Sequence, residues 1–141
     1  LLTGGNDLAV YGGDAPERDR LETRLIDWAI ATNKPLLGVC RGMQVIQHHF
    51  GVKLHPVEGH VTAAHDITLA GDTVSVNSYH QWGATDTVDG LLVTGRAADG
   101  VIEAVEHREH RIRGIMWHPE RCEPLHRRDI GLLHTIFGSE A

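Results

Sequence analysis

At 141 residues, with 41% hydrophobic and 23% charged side chains, the chain is long enough for one domain (1–141) with a substantial core. A formal net charge of −6 weighs against nucleic acid and anionic membrane as partners, and no apolar run approaches the ~20 residues of a membrane span. Two cysteines in dissimilar contexts suggest no disulfide framework, which makes a reducing cytoplasm the expected location.

Leu1-Leu2-Thr3-Gly4-Gly5 reads as the end of a buried strand with neither methionine nor cap before it, so a leading portion of the domain is expected to be missing. An apolar face or edge left bare in this way should make the chain aggregate or bind hydrophobic dye. Thr3-Gly4-Gly5-Asn6-Asp7 runs from that strand into a glycine turn. Paired glycines let backbone N–H groups face a cavity, which suits an oxyanion hole and equally a plain tight turn. A helix is predicted from Pro16 to about Thr32: proline suits the first turn, and Glu17 and Asp19 favour its positive end. Leu21, Leu25, Trp28, Ala29 and Thr32 share one face of it, and Asp19 and Glu22 share a surface expected to be solvated. Asn33-Lys34-Pro35 stops the helix.

Pro35 to Val39 is an apolar run that reads as a short buried strand, and Met43 to Phe50 reads as a helix. Gly38-Val39-Cys40-Arg41-Gly42 between them is the cysteine version of a nucleophile elbow. The tight turn strains its central residue, and flanking glycines remove side chains that would collide. Cys40 then sits on a helix N-terminus, whose partial positive charge is expected to favour the thiolate. A buried core cysteine is the competing reading of the same five residues.

Gly51 to His55 is predicted as a short strand, Val57 to Ala70 as largely irregular, and Asp66 to Leu69 as an edge strand. Thr73 to Val76 alternates as a strand and delivers Asn77-Ser78-Tyr79-His80-Gln81-Trp82, a cluster of the kind that faces a ligand or caps a turn. Asp99-Gly100 between Leu91–Thr94 and Val101–Val105 marks a hairpin. A strand from Ile112 to Trp117 ends at His118-Pro119-Glu120, and Leu125 to Phe137 closes the chain as a helix with Ile130, Leu133, His134 and Phe137 on one face. Proline pushes His118 into extended geometry, where residues two apart point the same way. Glu120 can therefore accept from the His118 ring, and a thiol nucleophile needs such a histidine as general base.

Taken together, these segments resemble the class I glutamine amidotransferase-like superfamily, in its γ-glutamyl hydrolase (peptidase C26) branch. The matching residues are Thr3 to Asp7, Arg18-Asp19 with Glu22, Pro35 to Gln44, Val76 to His80, Asp99-Gly100 with Ile102-Glu103-Ala104, and Gly114 to Glu120. The resemblance implies a flavodoxin-like three-layer α/β sandwich with a mostly parallel central sheet, lacking its N-terminal strand-helix part. It implies Cys40 as nucleophile, His118 as base, Glu120 as orienting acid, and backbone N–H groups of Gly5 and Arg41 as oxyanion hole. It also implies Gln44 as a holder of the glutamyl group, with Gly4, Asn6 and the Asn77-Ser78-Tyr79-His80 segment contacting substrate. The expected partner is a small γ-glutamyl substrate, with a homodimer possible and no cofactor.

Two rivals follow from the same resemblance. A glutaminase subunit would deliver ammonia to a synthetase partner, and a non-catalytic relative would bind or regulate. Thr3 to Leu8, Tyr11-Gly12-Gly13 and Arg18-Asp19 also resemble hydrolases encoded beside bacterial surface-polysaccharide genes, which points to a nucleotide-linked glutamyl amide. Eleven histidines suggest metal, but His48, His49, His55, His60 and His65 share no ligand spacing, so no metal is expected. Cys122 lies in a charged loop with no partner motif and is assigned no role.

Overall fold

The computed structural model describes residues 1–138. Strand β1 (Leu36–Val39) is buried along its whole length and pairs in parallel with β8 (Ile112–Ile115). Leu2 lies on its other side, bridged in parallel to Gly38. Parallel strands end at a common edge, so this alignment carries Gly4, Cys40 and His118 to the same end of the sheet. The other members are β7 (Ile102–His107), β6 (Leu91–Ala97), β3 (Val61–Leu69) and β4 (Asp72–Tyr79), in the order β1-β8-β7-β6-β3-β4. All pairings beyond β8 are antiparallel, so the parallel part of this mixed sheet is the part beneath the elbow. A separate ribbon joins β2 (His55–Pro56) to β5 (Trp82–Gly83).

Helices cover both faces. On one side α1 (Pro16–Thr32) and α2 (Arg41–His49) bring Ile26, Ala29, Met43 and Ile46 against Leu36, Val105 and Ile112. On the other, α3 (Arg127–Phe137) brings Ile136 against a cluster with Leu37, Val39, Ile115 and Trp117. Leu36 on one core and Leu37 and Val39 on the other follow from the period of two along a strand.

The glycines of the elbow permit this packing. A Cβ on Gly38 would run into the backbone of Gly42, and one on Gly42 would run into the carbonyl oxygen of Leu2. Strand, helix and N-terminal segment therefore meet backbone to backbone. Gly42→Ala should lower stability by roughly 1–3 kcal/mol, the usual cost of forcing volume into a packed core. Urea unfolding would read this, and an unchanged midpoint would contradict the close approach.

Several expectations need correction. The buried face of α1 is Glu22, Ile26 and Ala29, whereas Leu21, Leu25 and Trp28 form an exposed apolar stripe. Helical periodicity cannot tell which of two adjacent stripes faces inward when the inner one carries a carboxylate. β3 starts at Val61 and is no edge strand: it lies between β6 and β4, and β4 takes the edge. Residues 52–54 are not a strand, and pairing begins only at His55. In α3 the buried residues are Asp129 and Ile136, with Ile130 and Phe137 exposed.

Candidate active site

Cys40 occupies the elbow with φ 51 and ψ −104, a conformation a non-glycine residue adopts only when its surroundings force it. Its N–H donates to Ile115 O at 2.7 Å, locking the turn onto β8, and α2 starts at the next residue. The side chain is buried, and Sγ donates to the carbonyl of Tyr79 at 3.9 Å. Burial pushes the thiol up from 9.0 to about 11; the backbone N–H of Arg41 and the charge of Arg121 pull the other way but do not win. The Arg41 N–H at the head of α2 pulls in the direction expected from the helix end, and desolvation by burial is the larger effect.

The sign of the pH dependence follows. The folded state binds this proton more tightly than an unfolded thiol does, so the contribution is intact below pH 9 and is lost between about 9 and 11. A shift of that size corresponds to roughly 3 kcal/mol. Urea midpoints should fall across that window and fall less in Cys40→Ala; parallel curves would contradict it. In the free protein at neutral pH, iodoacetamide should label the half-buried Cys122 before Cys40.

His118 sits just past β8 and is buried. Its N–H donates to Asn77 Oδ1 at 2.7 Å, and Asn77 Nδ2 donates to His118 O at 2.8 Å, so one amide side chain grips both backbone groups. The ring nitrogen Nδ1 lies 2.6 Å from Glu120 Oε1. His118 is extended, as expected from the proline after it, and Glu120 reaches its ring from the 3-10 turn (Pro119–Arg121) that follows instead of from a continued strand. With Nδ1 donating to the carboxylate, Nε2 keeps its lone pair. The ring meets the Tyr79 ring edge-on at 5.8 Å, and the guanidinium of Arg121 lies 4.2 Å from the centroid of Tyr79.

A cavity of about 490 Å³ opens here, lined by Thr3, Gly4, Gly5, Val39, His118 and Glu120 among others. A larger one, about 740 Å³, lies between α1 and α2 and contains none of these groups. Gly4 must be glycine for the ring to fit, since a Cβ there would come 2.7 Å from His118 Cε1. Arg18, not singled out in the sequence for any role, holds the glycine turn: its Nη2 donates to Thr3 O at 3.0 Å and to Gly4 O at 3.1 Å. In a trans peptide the N–H points opposite the C=O, so tying Gly4 O to Arg18 turns the Gly5 N–H away from Arg18. Arg18 Nε also pairs with Glu22 at 2.9 Å, and Glu22 and Asp19 both clasp the buried Arg41 guanidinium. The pair expected to be solvated is thus the anchor of α2, which corrects that reading. One charge network braces both proposed oxyanion donors, the Gly5 and Arg41 backbone amides.

The remaining candidates divide. Tyr79 is partly exposed beside His118, whereas Ser78 is fully buried with Oγ donating to His60 O at 2.7 Å. His80 is buried between Trp82 O and Glu103, and Gln44 is buried with Nε2 3.2 Å from Trp82 O. Asn6 is exposed and donates to Asp14 at 2.6 Å. Of the histidines, His49 pairs with Asp27 and His48 packs against Tyr11, while His60, His65 and His80 gather around Glu103.

A family model described as glutamine amidotransferase class-I matches residues 6–130. The chain is 36% identical over 123 residues to the Gamma-glutamyl-CDP-amidate hydrolase of Campylobacter jejuni, an alignment covering 86% of this chain and 61% of that protein. It is 31% identical over 135 residues to the Gamma-glutamyl-gamma-aminobutyrate hydrolase of Escherichia coli O157:H7, covering 74% of this chain and 53% of that protein. The chain thus spans about three fifths or less of these relatives' own length. Its fold is similar to that of a glutamine amidotransferase of Thermotoga maritima, with TM-score 0.66 and 16% identity over 82% of this chain and 54% of that one.

Proposed function

The chain belongs to the class I glutamine amidotransferase family, and from that premise we propose that it is a cysteine hydrolase of γ-glutamyl amides. The observation that carries this reading is the strained Cys40 at the head of α2, on the same sheet edge as a His118 gripped by Asn77 and Glu120. Two relatives whose names specify γ-glutamyl hydrolysis support it.

In this mechanism the Cys40 thiol gives its proton to His118 Nε2 as sulfur attacks the γ-carbonyl of the substrate. A thiol held near pH 11 makes the coupling necessary, because little free thiolate exists at neutral pH. The oxyanion is met by the Gly5 and Arg41 amides, and such a donor is typically worth ~2.7–4 kcal/mol of barrier. As the C–N bond breaks, His118 passes its proton to the departing amine, leaving a γ-glutamyl thioester on Cys40. Water then gives a proton to His118 while its oxygen attacks the thioester carbonyl. Glutamate leaves, and the proton returns to sulfur.

The leaving amine we favour is nucleotide-linked, on the strength of the Campylobacter jejuni relative. The test is glutamate release from a panel of γ-glutamyl amides containing a cytidine-nucleotide amidate, γ-glutamyl-γ-aminobutyrate and glutamine. Release from the nucleotide amidate without a second protein is expected. Silence on every amide, with glutamine hydrolysed only once a synthetase is added, would favour an ammonia-delivering subunit instead.

A further inference from the structure

Three histidines converge on one buried carboxylate behind Tyr79. Glu103 on β7 is fully buried, as are His60 and His80 almost entirely. His60 Nδ1 lies 2.9 Å from Glu103 Oε1, His80 Nε2 lies 3.2 Å from the same oxygen, and His65 Nε2 lies 3.8 Å from Oε2. The outer ring nitrogens have partners that decide the tautomers. His60 Nε2 is 2.9 Å from Asp99 Oδ2, and His80 Nδ1 is 2.9 Å from the carbonyl of Trp82. Both partners only accept, so a neutral His60 carries its proton on Nε2 and a neutral His80 on Nδ1.

The inner nitrogens then present lone pairs to a carboxylate, acceptors facing acceptors. His60 Nδ1, His65 Nε2 and Glu103 Oε2 are buried without a hydrogen-bond partner. Three species could resolve the conflict: extra protons on the rings, a proton on Glu103, or a divalent cation. A proton on Glu103 donates to one ring nitrogen and leaves the others unmet. Extra protons would place imidazolium rings 4.7 and 5.2 Å apart around one buried carboxylate, where like charges repel. A cation meets the three unpartnered atoms, His60 Nδ1, His65 Nε2 and Glu103 Oε2, at once.

We propose that His60 Nδ1, His65 Nε2 and Glu103 form a site for a borderline divalent cation of the zinc class. Imidazole and carboxylate donors suit such an ion. The ligand atoms of these three residues lie within 4.8 Å of one another, wider than the roughly 3.3 Å between two ligands of a tetrahedral zinc, so binding draws the side chains inward. Asp99 supplies the outer support that metal-bound histidines commonly have, accepting from the ring N–H opposite the metal. The absence of metal-ligand spacing in the sequence has a structural cause. His65 lies five positions after His60, an odd step that would place them on opposite faces of a regular strand. One extra residue between Thr62 and His65, opposite Ser78 and Val76, reverses the alternation. None of these ligands lines the cavity beside His118, so the role is structural: the ion ties β3 to β7.

This inference is independent of the proposed hydrolysis, and its test needs no substrate. The purified chain is stripped with chelator and titrated with zinc alone, then with cobalt(II) alone. Expected are one tightly bound equivalent per chain, a thermal midpoint raised by zinc, and visible absorption bands of nitrogen-bound cobalt. His65→Ala should abolish the stoichiometric binding and the midpoint shift, and Asp99→Asn should weaken binding ~10–100-fold. Asp99 is half-exposed, so its variant carries the test if His65→Ala fails to fold. No stoichiometric binding, or the same binding in both variants, would overturn the site and leave a protonated hydrogen-bonded cluster.

Discussion

Replacing Cys40 with serine should lower kcat for glutamate release by on the order of 10⁴–10⁶-fold, the range seen when a nucleophile is removed from a working triad. Serine keeps the size of the side chain, and the positive φ of the elbow is enforced by the Cys40 N–H bond to Ile115 and by the packing of Gly38 against Gly42. The thermal midpoint should therefore change little. What changes is the nucleophile: an alcohol is far harder to deprotonate than a thiol already held near 11, and His118 is unaltered. A second measurement belongs with it. Hydroxylamine should intercept the wild-type thioester as the γ-glutamyl hydroxamate and should yield none in the serine variant. Activity within tenfold of wild type, with the midpoint unchanged, would remove Cys40 from the chemistry.

Asn77→Ala should cost roughly 1–3 kcal/mol of stability, because it leaves the buried His118 N–H without a partner and the His118 carbonyl with the Arg121 N–H alone, at 3.2 Å. It should also lower kcat by about 10²-fold, since a small displacement of a catalytic group is enough to do so. Asn77→Asp separates the two bonds. The aspartate can still accept from the His118 N–H but no longer donates to the His118 carbonyl, and it sets a negative oxygen against that carbonyl. Urea unfolding and steady-state kinetics read the two effects. If Asn77 instead touches substrate, as its neighbourhood in the sequence suggested, the alanine variant will raise KM with stability unchanged.

The parts of this protein legible in the chain are those made by neighbours. The boundaries of α1 follow from Pro16 at its first turn and Asn33 at its end, where the backbone turns left-handed. The elbow follows from an apolar strand run against Gly-x-Cys-x-Gly, and the β6–β7 hairpin from Asp99-Gly100. Each depends on backbone sterics within a few residues, and those are the same in any fold that contains the segment.

Other features were decided by distance in space. Glu22 looked solvated until Arg41, 19 residues away, was folded against it, and nothing local to Asn77 announced that both ends of its amide would grip His118, 41 residues on. His60, His65 and His80 had no common spacing until a bulge in β3 and the arrival of Glu103 placed them together. The Cys40 thiol shows why. Its helix N-terminus is a local field that the sequence announces, whereas its desolvation is a sum over every group packed around it. That sum exists only once the chain has closed, and it outweighs the hydrogen bond from the Arg41 N–H at the helix head.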